Sequence, residues 1–384
     1  PFGSLMRRFL TSLVACLTLT SLPLWADEIT FQDGEAERTV SGRIISTHES
    51  GVVLHEPDGT MWPIRADRIL DRKRESDDAF QPLGEKALAE SMLERLPPGF
   101  QTLETANYLV CYNTSREYAQ WCGTLLERLN RGFFSYWTQR GFRLEKPRQP
   151  LVAIVFDSQE NFAEYAKGEL WEAATGVIGY YSMHTNHVVM FDLTGGLAQG
   201  NGRGRVTPAQ INRLLARPDL QWSLATVVHE ATHQLAFNTG LQQRYADLPL
   251  WVSEGLAIYF ETPDLSSSRG WRGIGQVNSM RLDQYRKLIQ KHPEPLMPGL
   301  LSDDEPFRKA ATALDSYAHS WALTYFLLKR YPDEYNAYLK SISEIQPLHD
   351  PPPGTRVRHF QEHFGADLGK LEGQLRDYMG NLRS

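Results

Sequence analysis

Two apolar segments lying close together in the chain each carry ionisable residues where a core should be, and they restrict the fold more than any other feature. The first, 220–238, contains "VVHEATHQLAF" (227–237). Leu224, Val227, Val228, Ala231 and Leu235 mark it as a largely buried helix, yet His229, Glu230 and His233 sit among them. Asp219 is placed to cap its start, and Gly240 to end it in a left-handed conformation. The second, "LPLWVSEGLAIYFETPD" (248–264), reads as a helix with Pro249 in its first turn and Pro263 just past its end. Trp251, Leu256, Ile258 and Phe260 call for a core, but Glu254 lies in their midst. A buried carboxylate is costly unless it is paired or bound to metal. The short connection 241–248 predicts that the two helices pack together with their ionisable groups converging, and Gly255 permits a close approach.

Residues four apart on a helix share a face, so His229 and His233 can turn their imidazoles toward one ion. Glu230 points about a quarter turn away, beside the ion, where its carboxylate can take a proton from water without being a ligand. Two imidazoles do not complete a catalytic zinc site. Glu254 from the second helix supplies a third ligand, and two His with one Glu leave a fourth position for water, the pattern of a catalytic Zn²⁺ site. HExxH on its own also fits a buried helix with two hydrogen-bonded histidines, with Glu254 paired to a buried Arg; the two features together favour metal.

The rest of the chain sets the frame. With 384 residues, 41% of them hydrophobic, it can bury a large core and form more than one domain. A net charge of -6, with no basic run past Arg74, argues against nucleic acid. Met6, Arg7 and Arg8 precede an apolar stretch, Phe9 to Leu24, and "LWA" ends at Ala26, so 1–26 reads as a secretory signal and the protein as exported, periplasmic or secreted. A competing reading makes Cys16 of "LVAC" a lipid-bearing residue. Strand-like segments with Gly and Pro punctuation from 27 to 72 predict a small β-barrel-like module, with His48 and His55 on its surface. A linker with a short helix, 73–98, leads to the main domain, 99–384. That domain begins with strand 107–112, a helix from Ser115 to Gln139, strand 151–156 and a helix from Ser158 to Leu170. The stretch 175–192 reads as a hairpin turning near "HTN", and the glycine-rich 195–205 as a loop. Thr207 and Pro208 open a short helix, and after 220 the chain is almost wholly helical, giving an α+β fold with strands first and helices later. Cys111 and Cys122 could face one core, either as a bridge worth about 3 kcal/mol or as two free thiols. His184, His187 and His292 have no ligand spacing and read as surface or turn residues.

"HEATH", followed after twenty residues by the Glu of "WVSEGLA", resembles the gluzincin metallopeptidases. "HEATHQLAFNTGL" with "WVSEGLAIYFETPD" and the β module ahead of them is similar to an uncharacterised family of exported bacterial proteins catalogued as a domain of unknown function. The resemblance implies a zincin-like domain with a mixed sheet and a mostly helical C-terminal half. It makes His229, His233 and Glu254 zinc ligands and Glu230 the general base of a hydrolase acting on a peptide or protein. Gluzincins commonly use a downstream Tyr or His to stabilise the oxyanion; here that is Tyr317, with His319 second, and Tyr317 also reads as a core aromatic. The resemblance further implies that "NHVVMFD" is the edge strand holding an extended peptide. No GxMEN-like sequence supports aminopeptidase activity. A catalytically silent scaffold that binds partners in the cell envelope is the alternative, and the sequence leaves substrate and oligomeric state open.

Overall fold

The strand-like start of the chain forms five antiparallel strands in the computed structural model, which describes residues 26–76, 80–195, 207–262, 271 and 273–383. They are β1 (Ala26–Asp33), β2 (Ala36–His48), β3 (Gly51–His55), β4 (Met61–Arg65) and β5 (Ile69–Ser76), in the order β4-β3-β2-β1-β5. A register shift between Ile44 and Ser46 bends β2, so the sheet curls over its own core of Ile29, Phe31, Val40, Val52, Leu54 and Ile64. No ladder joins β4 to β5 among the described residues, so the sheet is curled but not closed. Residues 1–25 of the expected signal segment, Cys16 among them, and the glycine-rich stretch from 196 onward lie outside the described residues, while Ala26, its expected last residue, opens β1.

The larger unit starts with α1 (Glu85–Arg95), whose Leu88, Ala89 and Met92 enter the main core. It then runs through β6 (Gln101–Glu104), β7 (Tyr108–Tyr112), α2 (Arg116–Thr138), β8 (Leu151–Phe156), α3 (Gln159–Leu170), β9 (Gly179–Tyr181) and β10 (Val188–Phe191). Every residue of β7, β8 and β10 is buried, the mark of interior strands covered on both faces. They run parallel at the centre of a mixed sheet, β6-β7-β8-β10-β9, with an antiparallel strand at each edge. "NHVVMFD" is therefore interior, contrary to expectation. Its strand is paired on one side with β8 and on the other with β9, and the edge belongs to "GYY". Cys111 and Cys122 are free buried thiols, and burial pushes the Cys111 thiol up to about 12.

The helical half comprises α4 (Pro208–Leu215), α5 (Pro218–Asn238), α6 (Leu250–Phe260), α7 (Ser279–Lys291), α8 (Met297–Ser302), α9 (Glu305–Arg308), α10 (Ala313–Arg330), α11 (Pro332–Ser343), α12 (Thr355–Phe364) and α13 (Leu368–Asn381). Thr207 and Gln210 cap α4 reciprocally. Helix α5 starts one residue before the expected cap, so Asp219 falls in its first turn and pairs with Arg217 at 2.8 Å. It ends as expected, with Gly240 at φ 76°. Helix α6 is buried along nearly its whole length between α5 and α10. Its first amide, Leu250 N, donates to Asp304 Oδ1 at 2.9 Å, and Asp304 is held in turn by Arg356 at 2.8 Å. None of the described helices is long and apolar enough to cross a membrane.

The β module is docked on the β9–β10 hairpin. Met61 N donates to the His184 carbonyl at 2.8 Å, and His184 Nδ1 donates back to the Met61 carbonyl at 2.9 Å. The His184 ring stands edge-on to Trp62 at 4.3 Å. His184 is thus a turn residue, as expected, that also docks the module, whereas His187 is buried and is not the surface or turn residue that its lack of ligand spacing suggested.

Candidate metal centre

Helix α5 carries His229, Glu230 and His233 across one end of the mixed sheet, and α6 lies against it. His229 Nε2 is 3.0 Å from Glu254 Oε2 and 3.1 Å from His233 Nε2, and His233 Nε2 is 3.6 Å from Glu254 Oε2. Four donors around a zinc ion at about 2.0–2.1 Å stand roughly 3.3–3.4 Å apart along the edges of a tetrahedron. The three observed separations bracket that edge, so the donor set fits a small divalent cation. Among the described residues His229, His233 and Glu254 form a group that could hold a metal ion.

The opposite ring nitrogens are also engaged, and this matters because a partner on Nδ1 leaves the Nε2 lone pair free for a metal. His233 Nδ1 is 3.2 Å from Ser253 Oγ, and the serine hydroxyl donates to Gln242 Oε1 at 3.1 Å. With its one proton directed at Gln242, Ser253 can only accept from His233 Nδ1–H, which fixes the tautomer. His229 Nδ1 lies 3.4 Å from Glu261 Oε2, whose side chain is almost fully buried. Burial alone would lower the His229 pKa, but the hydrogen bond to Glu254 and the nearby Glu261 carboxylate carry it up to about 10, so the surroundings of this ring favour positive charge. Burial would likewise raise Glu254, yet the two imidazoles hold its carboxyl well below the usual range. Glu261→Gln should weaken metal binding about 10–100-fold without unfolding the protein, as loss of such orienting carboxylates does. Competition with a chromophoric chelator measures this, and unchanged affinity would detach Glu261 from the centre.

Glu230 has a different environment. Its Oε2 accepts the backbone amide of Tyr181 on edge strand β9 at 2.9 Å. Burial raises its pKa, with His229 and His233 opposing that shift, so its carboxyl is poised to exchange a proton nearer neutrality than a free glutamate. Tyr317 on α10 stands edge-on to His229 with ring centroids 6.5 Å apart, and Glu254, then burial, raises its pKa; it stays a protonated donor. His319 is not part of the centre. It is buried on another face of α10 against Tyr285, 5.7 Å between rings, and burial lowers its pKa to about 4.

Sequence reasoning missed Glu261, Ser253, Gln242 and Arg281. The first was legible: Glu261 follows Glu254 by seven residues, two helical turns, and so shares its face. Arg281 carried no signal. Its guanidinium, buried on α7, lies 5.6 Å from the Tyr317 ring and 5.0 Å from that of Trp222, and Glu261 and Glu254 partly offset the lowering of its pKa by burial.

A family model described as a protein of unknown function (DUF1570) matches residues 223–349, the span that contains every residue of this centre except the Tyr181 amide. No curated protein matches the chain.

Proposed function

We propose that the chain is a zinc-dependent peptidase of gluzincin type, acting outside the cytoplasm in keeping with the signal-like 1–26. One observation carries the reading: Glu230, which the donor set does not need, sits half-buried beside that set and is held by a backbone amide. A protein that only bound metal would have no use for a second, proton-hungry carboxylate there.

His229, His233 and Glu254 would hold the ion, and zinc would supply Lewis acidity toward a water and a peptide carbonyl. The chain's own residues do the rest. Glu230 takes the proton of the attacking water as its oxygen bonds to the carbonyl carbon, then delivers it to the departing amine nitrogen as the C–N bond breaks. Tyr317 donates its O–H to the oxygen that gains negative charge. Edge strand β9, whose amide at 181 orients Glu230, is the free sheet edge for an extended peptide. The test is digestion of a diverse peptide library by zinc-loaded protein, expecting cleavage that is lost on chelation and restored by zinc. Zinc-loaded protein that cleaves nothing would return the chain to the alternative of a binding protein in the cell envelope.

A further inference from the structure

A second cavity, of about 380 Å³, opens where the β module meets the larger unit, beside Phe237 and Asn238 at the end of α5. None of His229, Glu230, His233, Glu254 or Tyr317 lines it. Its volume is in the range of small-molecule sites, and its wall is chiefly polar.

Three guanidinium groups from distant parts of the chain meet there: Arg43 from β2, Arg148 from the segment before β8, and Arg244 from the α5–α6 connection. Like charges gather only at a cost, and Arg43 registers it: burial and then the nearby Arg148 lower its pKa. Among the described residues none of the three forms an ion pair. Arg244 is 5% exposed, so its charge has left bulk water; its Nη1 donates to the carbonyls of Met183 at 3.2 Å and Gly59 at 3.4 Å, and its Nε has no partner. Lys146 adds a fourth cation at the rim. Of the two lining carboxylates, Asp58 is taken by Arg95 at 2.6 Å and Glu145 is exposed.

The histidines of the cavity add hydrogen-bonding capacity without charge. Burial and then Arg244 and Arg43 hold His55 down to about 4, so it is neutral at pH 7; the ring is half-buried at the cavity. His187, buried, also lines the cavity, and its Nδ1 has no partner. Phe80 gives one apolar wall, with the Arg43 guanidinium 5.6 Å from its ring centroid and the His55 ring at the same distance.

We propose that this cavity binds a small organic anion carrying at least two negative charges, a phosphomonoester or a di- or tricarboxylate. Guanidinium forks donate to oxygen pairs of either kind, and the cavity is larger than an inorganic ion requires. The proposal is independent of the metal centre and of peptidase activity.

The test is calorimetric titration of the metal-loaded full chain with tricarballylate, succinate and glycerol 2-phosphate at constant ionic strength. Saturable binding of at least one is expected, weakened at least about tenfold by Arg148→Gln and by Arg43→Gln, and unchanged by Lys370→Gln on α13, an exposed lysine that does not line the cavity. Tighter binding of the carboxylates or of the phosphate identifies the headgroup, and either supports the site. Arg148 is exposed, so its variant keeps the fold, which thermal unfolding in chloride verifies. Non-saturating heats, or equal affinity in all variants, would overturn the proposal.

Discussion

Glu230→Gln should reduce kcat for peptide hydrolysis by about 10³-fold while the protein still takes up one metal, in line with the 10²–10⁴-fold range for positioned acid–base groups. The substitution is close to isosteric, and the amide oxygen of Gln can still accept from Tyr181 N, so the side chain should stay where the carboxylate was. What it loses is the ability to take a proton. Elemental analysis beside single-turnover kinetics separates the two properties, and turnover equal to wild type would falsify the role of Glu230 as base. Tyr317→Phe is the informative companion: about a 10²-fold loss of kcat, metal retained, since it removes one donor to the developing charge and leaves the base intact.

Gly255→Ala has the second largest expected effect, and its sign is diagnostic. Helix propensity alone would make alanine stabilising by roughly 1 kcal/mol in mid-helix. Packing says the reverse. A Cβ at 255 would come within 2.2 Å of Thr324 Oγ1 and 2.6 Å of the Ser320 carbonyl oxygen on α10. The threonine hydroxyl can rotate away, but the carbonyl belongs to a buried helix and cannot move without moving α10. Such overpacking costs about 1–3 kcal/mol, so net destabilisation is expected. Because Glu254 precedes Gly255, a displaced α6 also pulls a proposed ligand, and metal affinity should fall with stability. Urea unfolding with parallel metal titration checks both, and a more stable variant would mean that α10 yields.

The grouping of His229, His233 and Glu254 was legible because helical periodicity determines who can meet. His229 and His233 share a face from sequence alone, and Glu254 stood out as a charge inside an apolar helix. The strands β7 and β8 were equally plain, being short apolar runs. Strand order was not, because pairing is a long-range matter: "NHVVMFD" reads the same at an edge or in the interior, and only the short "GYY" strand beside it settles which it is. His187 was misjudged for the same reason, since its burial depends on segments distant in the chain. The anion cavity was invisible, its arginines being scattered from 43 to 244 with nothing local to connect them.

The orientation of Glu230 by the amide of residue 181, not by a side chain, has an evolutionary corollary. Any amino acid except proline offers that N–H, so aiming the base does not by itself demand a tyrosine; the Tyr181 side chain is constrained separately, its hydroxyl donating to Asn186 Oδ1 at 2.9 Å and its ring stacking on Phe237. In an alignment the part of this position that serves the base would surface only as a missing letter, proline.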